Sequence, residues 1–232
     1  MRKSQPAHPA PLSAGGILDL RKDGAEADGA GGAGQAQQKY IGFGAIALVG
    51  CAMAAASFIT APGLAGAFGG ALAVLMLATA CVDARCFIIP DKLTLAAFVL
   101  GLANAANQGL GSEEFASIRR DDMLASIGVA GMRAAILVLA FLALREAYRR
   151  LRGRQGLGLG DVKLAAVAGV WLDAMSIPAA IEIAALAALG LYGVRQLVAR
   201  HPFSAAARLP FGLFFAPAIW LCWLLEAMRL PF

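Results

Sequence analysis

Two acidic residues stand where acids are costly. Asp83 closes the apolar run that begins at Leu64, and Asp161 opens another within Gly158-Leu159-Gly160-Asp161-Val162-Lys163-Leu164. A carboxylate at a membrane boundary is unfavourable unless it faces protein or water. Two carboxylates that converge can do acid–base chemistry: the ionised one activates water and the protonated one donates to a carbonyl oxygen. Gly158 and Gly160 permit backbone angles that other residues avoid and let a substrate chain approach closely. Structural alternatives exist for each residue. Asp161 suits a helix N-terminus, where a carboxylate accepts from free backbone N–H groups. Asp83 as a plain helix end is a poor choice, because negative charge there opposes the helix dipole. Lys163 is either a lysine that reaches to the interface or a cation that favours the ionised form of Asp161.

Composition places these residues in a membrane protein. Of 232 residues 59% are hydrophobic and 15% charged, against about 25% charged in soluble domains. The formal charge of +5 comes from basic residues in short loops beside apolar runs. That is the positive-inside pattern rather than a nucleic-acid footprint, so no nucleic-acid partner is expected. The cysteines Cys51, Cys81, Cys86 and Cys222 form no C-x-x-C pair, and His8 and His201 lie far apart. A structural zinc site takes about four clustered ligands, so neither metal nor cofactor is expected. Cys86 falls in a loop placed in the cytosol, where disulfides are rare.

The elements that must position the pair follow from the apolar runs. Residues 1–39, rich in Gly, Ala, Gln and Pro, cannot bury enough surface to offset their ordering entropy and are expected to form an unstructured cytosolic tail. Residues 40–232 are expected to form an all-α transmembrane bundle of six to seven spans. The runs are 41–60, 64–82, 93–110, 123–144, 161–173, 176–194 and 209–228, against about 20 residues needed to cross. The fifth is short, and is predicted to be tilted, partly re-entrant, or joined to the sixth through a kink. With the N-terminus inside, the cytosolic parts hold 15 of the 20 Lys and Arg, which predicts seven spans with the C-terminus outside. Asp83 and Asp161 then reach the same, cytosolic, face.

Around Asp83 the chain reads Ile88-Ile89-Pro90-Asp91-Lys92-Leu93-Thr94. The residue before proline avoids the helical region, so an extended step precedes the third segment. Asp91 is available to cap that segment, with Thr94 nearby.

The order aspartate, I-P-[ND]-x-L-T, G-x-G-D-x-K-L and P-F-G resembles the type IV prepilin peptidases, the G-x-G-D aspartic membrane proteases. In this chain the pieces are Asp83, Ile89 to Thr94, Gly158 to Leu164, and Leu209-Pro210-Phe211-Gly212. The resemblance covers about residues 64–225. It implies an endopeptidase of the bacterial inner membrane that removes the basic leader from type IV prepilins, Flp-type prepilins or pseudopilins at the cytosolic face. Asp83 and Asp161 carry over as catalytic residues. Gly158, Gly160, Lys163, Pro90, Asp91, Pro210, Phe211 and Gly212 carry over as motif support. The implied partners are the substrate helix with its leader and the lipid bilayer. Larger members resemble two-function enzymes with two C-x-x-C pairs in a cytosolic domain. This sequence has no such pairs, so peptidase activity without N-methyl transfer is expected. Presenilin-like G-x-G-D proteases pair the motif with Y-D and P-A-L, whereas this chain has Val82-Asp83 and Pro210-Phe211-Gly212.

A different class of function, a proton- or cation-coupled transporter or assembly subunit, would need ionisable residues along a midplane path. Only Arg133 and Glu182 fall deep within the segments, and a structural ion pair between them is expected. Gly66-x-x-x-Gly70 is read as a packing surface, Trp171, Trp220 and Trp223 as interface anchors, and Pro217 as a kink.

Overall fold

A computed structural model describes residues 44–110, 116–153, 157–199 and 211–228. The expected tail, residues 1–39, lies outside them. Contacts divide the chain into Met1–Val49 and Gly50–Phe232. Of the first unit only residues 44–49, within a helix, are described. The packing of the helices on one another belongs to the second.

Seven helices stand where seven segments are expected, and no strand occurs among the described residues. They are α1 (Gly44–Thr60), α2 (Leu64–Cys86), α3 (Asp91–Leu110), α4 (Ala116–Arg152), α5 (Leu159–Trp171), α6 (Ser176–Ala199) and α7 (Phe211–Ala227). By length and composition α2, the part of α4 from Asp121 and α6 are long and apolar enough to cross a membrane, while α1 and α7 are shorter apolar helices. The chain is an all-α helical membrane protein.

The helix at the centre is α5. It packs against α3, α4 and α7, and eight of its 13 residues are buried. Thirteen residues rise about 20 Å, short of a hydrocarbon core of about 30 Å. The segment that reads as a weak span is therefore the protein-enclosed core of the bundle. Backbones come close to it wherever glycine removes a side chain. A Cβ at Gly169 would lie 2.4 Å from Ala134 Cα of α4, and one at Gly101 of α3 would lie 2.5 Å from Val170. Such small-residue contacts replace the hydrophobic drive that lipid cannot supply.

Helix α2 packs against α3 and α7, and its buried stripe includes Gly66, Gly69, Gly70, Ala73, Met76, Ala80 and Asp83. The spacing of three and four keeps one face inward, and Asp83 is its last member. A Cβ at Gly69 would overlap the Trp223 ring, and one at Gly66 would overlap the Ala61 carbonyl. The 66–70 pair is thus a packing surface, as its spacing predicts. Gly63, with φ 84°, turns the chain between α1 and α2.

Several expectations need correction. Helix α2 runs past Val82 to Cys86, so Asp83 lies inside its last turn rather than after it. The stretch between the third and fourth expected runs is helical from Ala116, and α4 continues past the expected end at 144 to Arg152. Glu146 stabilises that extension by accepting from Arg149 and Arg150 at 2.9 and 2.7 Å, the i,i+3 and i,i+4 spacing of a helix surface.

Trp171 and Trp223 are core residues, 3% and 6% exposed, packed edge to face. The Trp171 indole donates to the Ala97 carbonyl at 2.8 Å. Trp220 is half-buried and donates to the Ser57 hydroxyl. Buried indoles need such acceptors, and these helices supply them. Arg133 pairs with Asp173 at 2.6 Å, not with Glu182, which is exposed on α6. The Asp173 N–H donates to Glu226 at 2.8 Å. The C-terminal end of α5 is thereby tied to α4 and α7.

Gly169→Ala is expected to lower stability by about 1–3 kcal/mol, the range for overpacking. Gly190→Ala, with nothing within 4 Å of the new methyl, should raise it by about 0.5–1 kcal/mol through reduced backbone entropy. Thermal unfolding of the detergent-solubilised protein measures both.

Candidate active site

Asp83 is 4% exposed. Burial without a partner is costly for a carboxylate. Its Oδ2 accepts from the Leu213 N–H at 2.8 Å, in the first turn of α7. A hydrogen bond to a charged group contributes about 1.5–3 kcal/mol. The unfavourable dipole at the end of its own helix costs about 0.3–1 kcal/mol, so the bond across to α7 decides. The free N–H groups at the start of a helix form a natural anion site.

That approach depends on Gly212. A Cβ there would lie 2.8 Å from Asp83 Oδ2 and 2.7 Å from Ile89 Cδ1. Phe211 packs in the same turn, its ring 5.3 Å from Phe215. The predicted motif residue Pro210 lies outside the described residues.

Asp161 lies in the first turn of α5. It is half-buried, and its Oδ2 accepts from the Gly158 N–H at 3.1 Å. Gly158 is the N-cap of the helix, with extended backbone. The N-cap position read for Asp161 falls to Gly158; Asp161 is the third residue of the helix, and its bond back to the Gly158 N–H orients the carboxylate. Gly160 serves close approach: a Cβ there would lie 2.9 Å from Ile89 Cβ. Asp83 thus meets Gly212, Gly212 meets Ile89, and Ile89 meets Gly160, next to Asp161. The structure therefore brings both aspartates to one end of the bundle, Asp83 accepting from the first turn of α7 and Asp161 from the N-cap of its own helix.

Lys163 pairs with Asp91 of α3 rather than with Asp161. This partner is neither of the two readings left open for it, and it gives Asp91 a role besides its place in the first turn of α3. Pro90 serves through its carbonyl, which accepts the Thr94 N–H at 3.2 Å and the Thr94 hydroxyl at 3.3 Å. Phe87, which caps α2, holds φ 53° and ψ 31°, a left-handed conformation rare for a bulky residue. Its N–H donates to the Asp83 carbonyl at 2.9 Å. No sequence pattern marks Leu213, whose contribution is a backbone N–H. Phe87 is likewise silent, since glycine or asparagine usually takes that position. Among the described residues no group of three or more His, Cys, Asp or Glu could hold a metal, and the four cysteines are free.

Fold and site together define a helical membrane protein with an aspartate pair seated on two helix N-termini. The sequence pattern of the type IV leader peptidase family matches residues 70–193, a stretch holding Asp83, Pro90, Asp91, Gly158, Gly160, Asp161 and Lys163. A prepilin leader peptidase/N-methyltransferase of Escherichia coli (strain K12) is 29% identical over 174 residues, covering 74% of this chain and 71% of that protein. The proteins of that name from Burkholderia pseudomallei (strain 1026b) and Dickeya chrysanthemi are 31% and 32% identical over 150 and 167 residues. These alignments cover 65% and 71% of this chain but 43% and 53% of the relatives. The chain spans about half the length of most of the curated relatives it matches. No solved structure matches it. The chain belongs to the type IV leader peptidase family, a family of prepilin-processing proteases.

The Lys163–Asp91 pair is exposed, at 43% and 76% of the side chains, and exposed pairs contribute about 0.2–1 kcal/mol. A double-mutant cycle with Lys163→Met and Asp91→Asn, read by thermal unfolding, should give a coupling in that range. A coupling several-fold larger would mean that the pair is shielded from water.

Proposed function

We propose that the protein is an aspartic endopeptidase that removes the basic leader from a type IV, Flp-type or pseudopilin precursor, with Asp83 and Asp161 as its catalytic pair. The observation that supports this reading is that Ile89 lies against both Gly160, next to Asp161, and Gly212, beside the Asp83 carboxylate. Carboxylates so placed titrate as a coupled dyad that shares a proton. The ionised member takes a proton from water, and the resulting hydroxide attacks the scissile carbonyl carbon. The protonated member donates to the carbonyl oxygen, and proton return to the leaving nitrogen completes cleavage. Bonds from Leu213 and Gly158 fix one oxygen of each carboxylate, which supports orientation of the other toward substrate.

The bacterial inner membrane and a cytosolic active site fit the bias of Lys and Arg along the sequence. A pair at a helix boundary can receive water from one side and a substrate helix from the bilayer. The reading concerns the peptidase step alone, with no N-methyl transfer.

Asp83→Asn and Asp161→Asn keep side-chain size while removing the acid–base function. Each is expected to abolish cleavage of a co-expressed prepilin, with membrane abundance retained, as read by the leader-dependent shift in pilin size. Full processing by either variant would contradict the mechanism.

A further inference from the structure

Ile89 sits where the two halves of the pair meet. Its side chain is 8% exposed. A Cβ at Gly160 would lie 2.9 Å from both Ile89 Cβ and Cδ1, and one at Gly212 would lie 2.7 Å from the same Cδ1. One side chain therefore fills hollows left by a glycine on α5 and a glycine on α7. The Gly212 hollow also receives the Asp83 carboxylate.

Local structure aims Ile89 inward. The left-handed turn at Phe87 leaves Phe87 and Ile88 57% and 66% exposed and delivers the next residue to the interior. The ion pair of Asp91 with Lys163 ties this loop to α5 two residues beyond Asp161. That pair is exposed and weak, so burial against Gly160 and Gly212 is what keeps the Ile89 side chain in place. A β-branched side chain is stiff at χ1, which makes it a spacer of definite width.

We propose that Ile89 is a positioning residue that sets the separation of Asp83 and Asp161, bearing on Gly160 from one side and Gly212 from the other. The inference rests on the aspartate-pair reading above. A spacer of this kind acts on the geometry of the reacting groups, not on the surface that binds the rest of the substrate. Its alteration therefore changes kcat and leaves KM in place. A change of width on one side is offset by the opposite change on the other.

The test uses the purified full chain in detergent with a prepilin substrate, and compares Gly160→Ala, Ile89→Ala and the double variant, with Asp83→Asn alongside. Gly160→Ala is expected to lower kcat by about a hundredfold, the scale of a 1 Å misplacement, with KM unchanged. Ile89→Ala alone also lowers kcat, and added to Gly160→Ala it restores a substantial part of the loss. Losses that multiply in the double variant, or a rise in KM with kcat retained, would overturn the inference. Should Gly160→Ala fail to accumulate in membranes, Ile89→Val serves instead, since it deletes the Cδ1 that meets both glycines. Reduced kcat at unchanged KM then supports the spacer, and wild-type kcat overturns it. Cleavage by Asp83→Asn at the wild-type rate would remove the pair reading itself, an outcome separate from a spacer that fails while Asp83→Asn is inactive.

Discussion

A buried carboxylate has to be satisfied, and the arrangement around Asp83 follows from that constraint. The acid occupies the last turn of α2, on the face that packs inward, where its own helix dipole opposes it. Its partner is the Leu213 N–H at the start of α7. The bond can form only because Gly212 leaves room. Much else depends on that seating. The start of α7 must lie beside the end of α2, and Gly69 must admit Trp223. A single polar contact at one end and close small-residue packing along the helix fix the same register.

Helix α5 meets the same end of the bundle by other means. Enclosed by α3, α4 and α7, it needs no bilayer-spanning length and can begin and end inside the protein. Its N-terminus carries Asp161 on a glycine cap, and its C-terminus is tied by Asp173 to Arg133 and Glu226. A short rod enclosed by three helices holds the side chains at its ends in fixed places, because packing rather than loop geometry sets their position.

Much of this was legible in the sequence. Apolar runs separated by basic loops predict the helices. Asp83 and the G-x-G-D stretch stand out because acids at a membrane boundary demand a reason. The remainder depended on tertiary contacts. Arg133 found Asp173 because the turn after α5 reaches α4, whereas Glu182 faces outward on α6. Trp171 and Trp223 read as interface anchors by residue type, yet glycines on neighbouring helices draw them into the core. Lys163 lies two residues from Asp161, and one of its two readings is a counter-ion to that acid. Positions two apart on a helix point in different directions, and the side chain reaches Asp91 instead. The support given by Leu213 is a backbone group, which no residue type reveals.

The central claim is that Asp83 and Asp161 act as one acid–base unit. The pH dependence of kcat/KM for leader cleavage by the purified protein tests it most directly, because that profile reports the essential acid and base of the free enzyme. The account predicts a bell with one limb for each ionisation of the coupled pair. A profile with one limb, or a rate independent of pH across the carboxyl range, would contradict it.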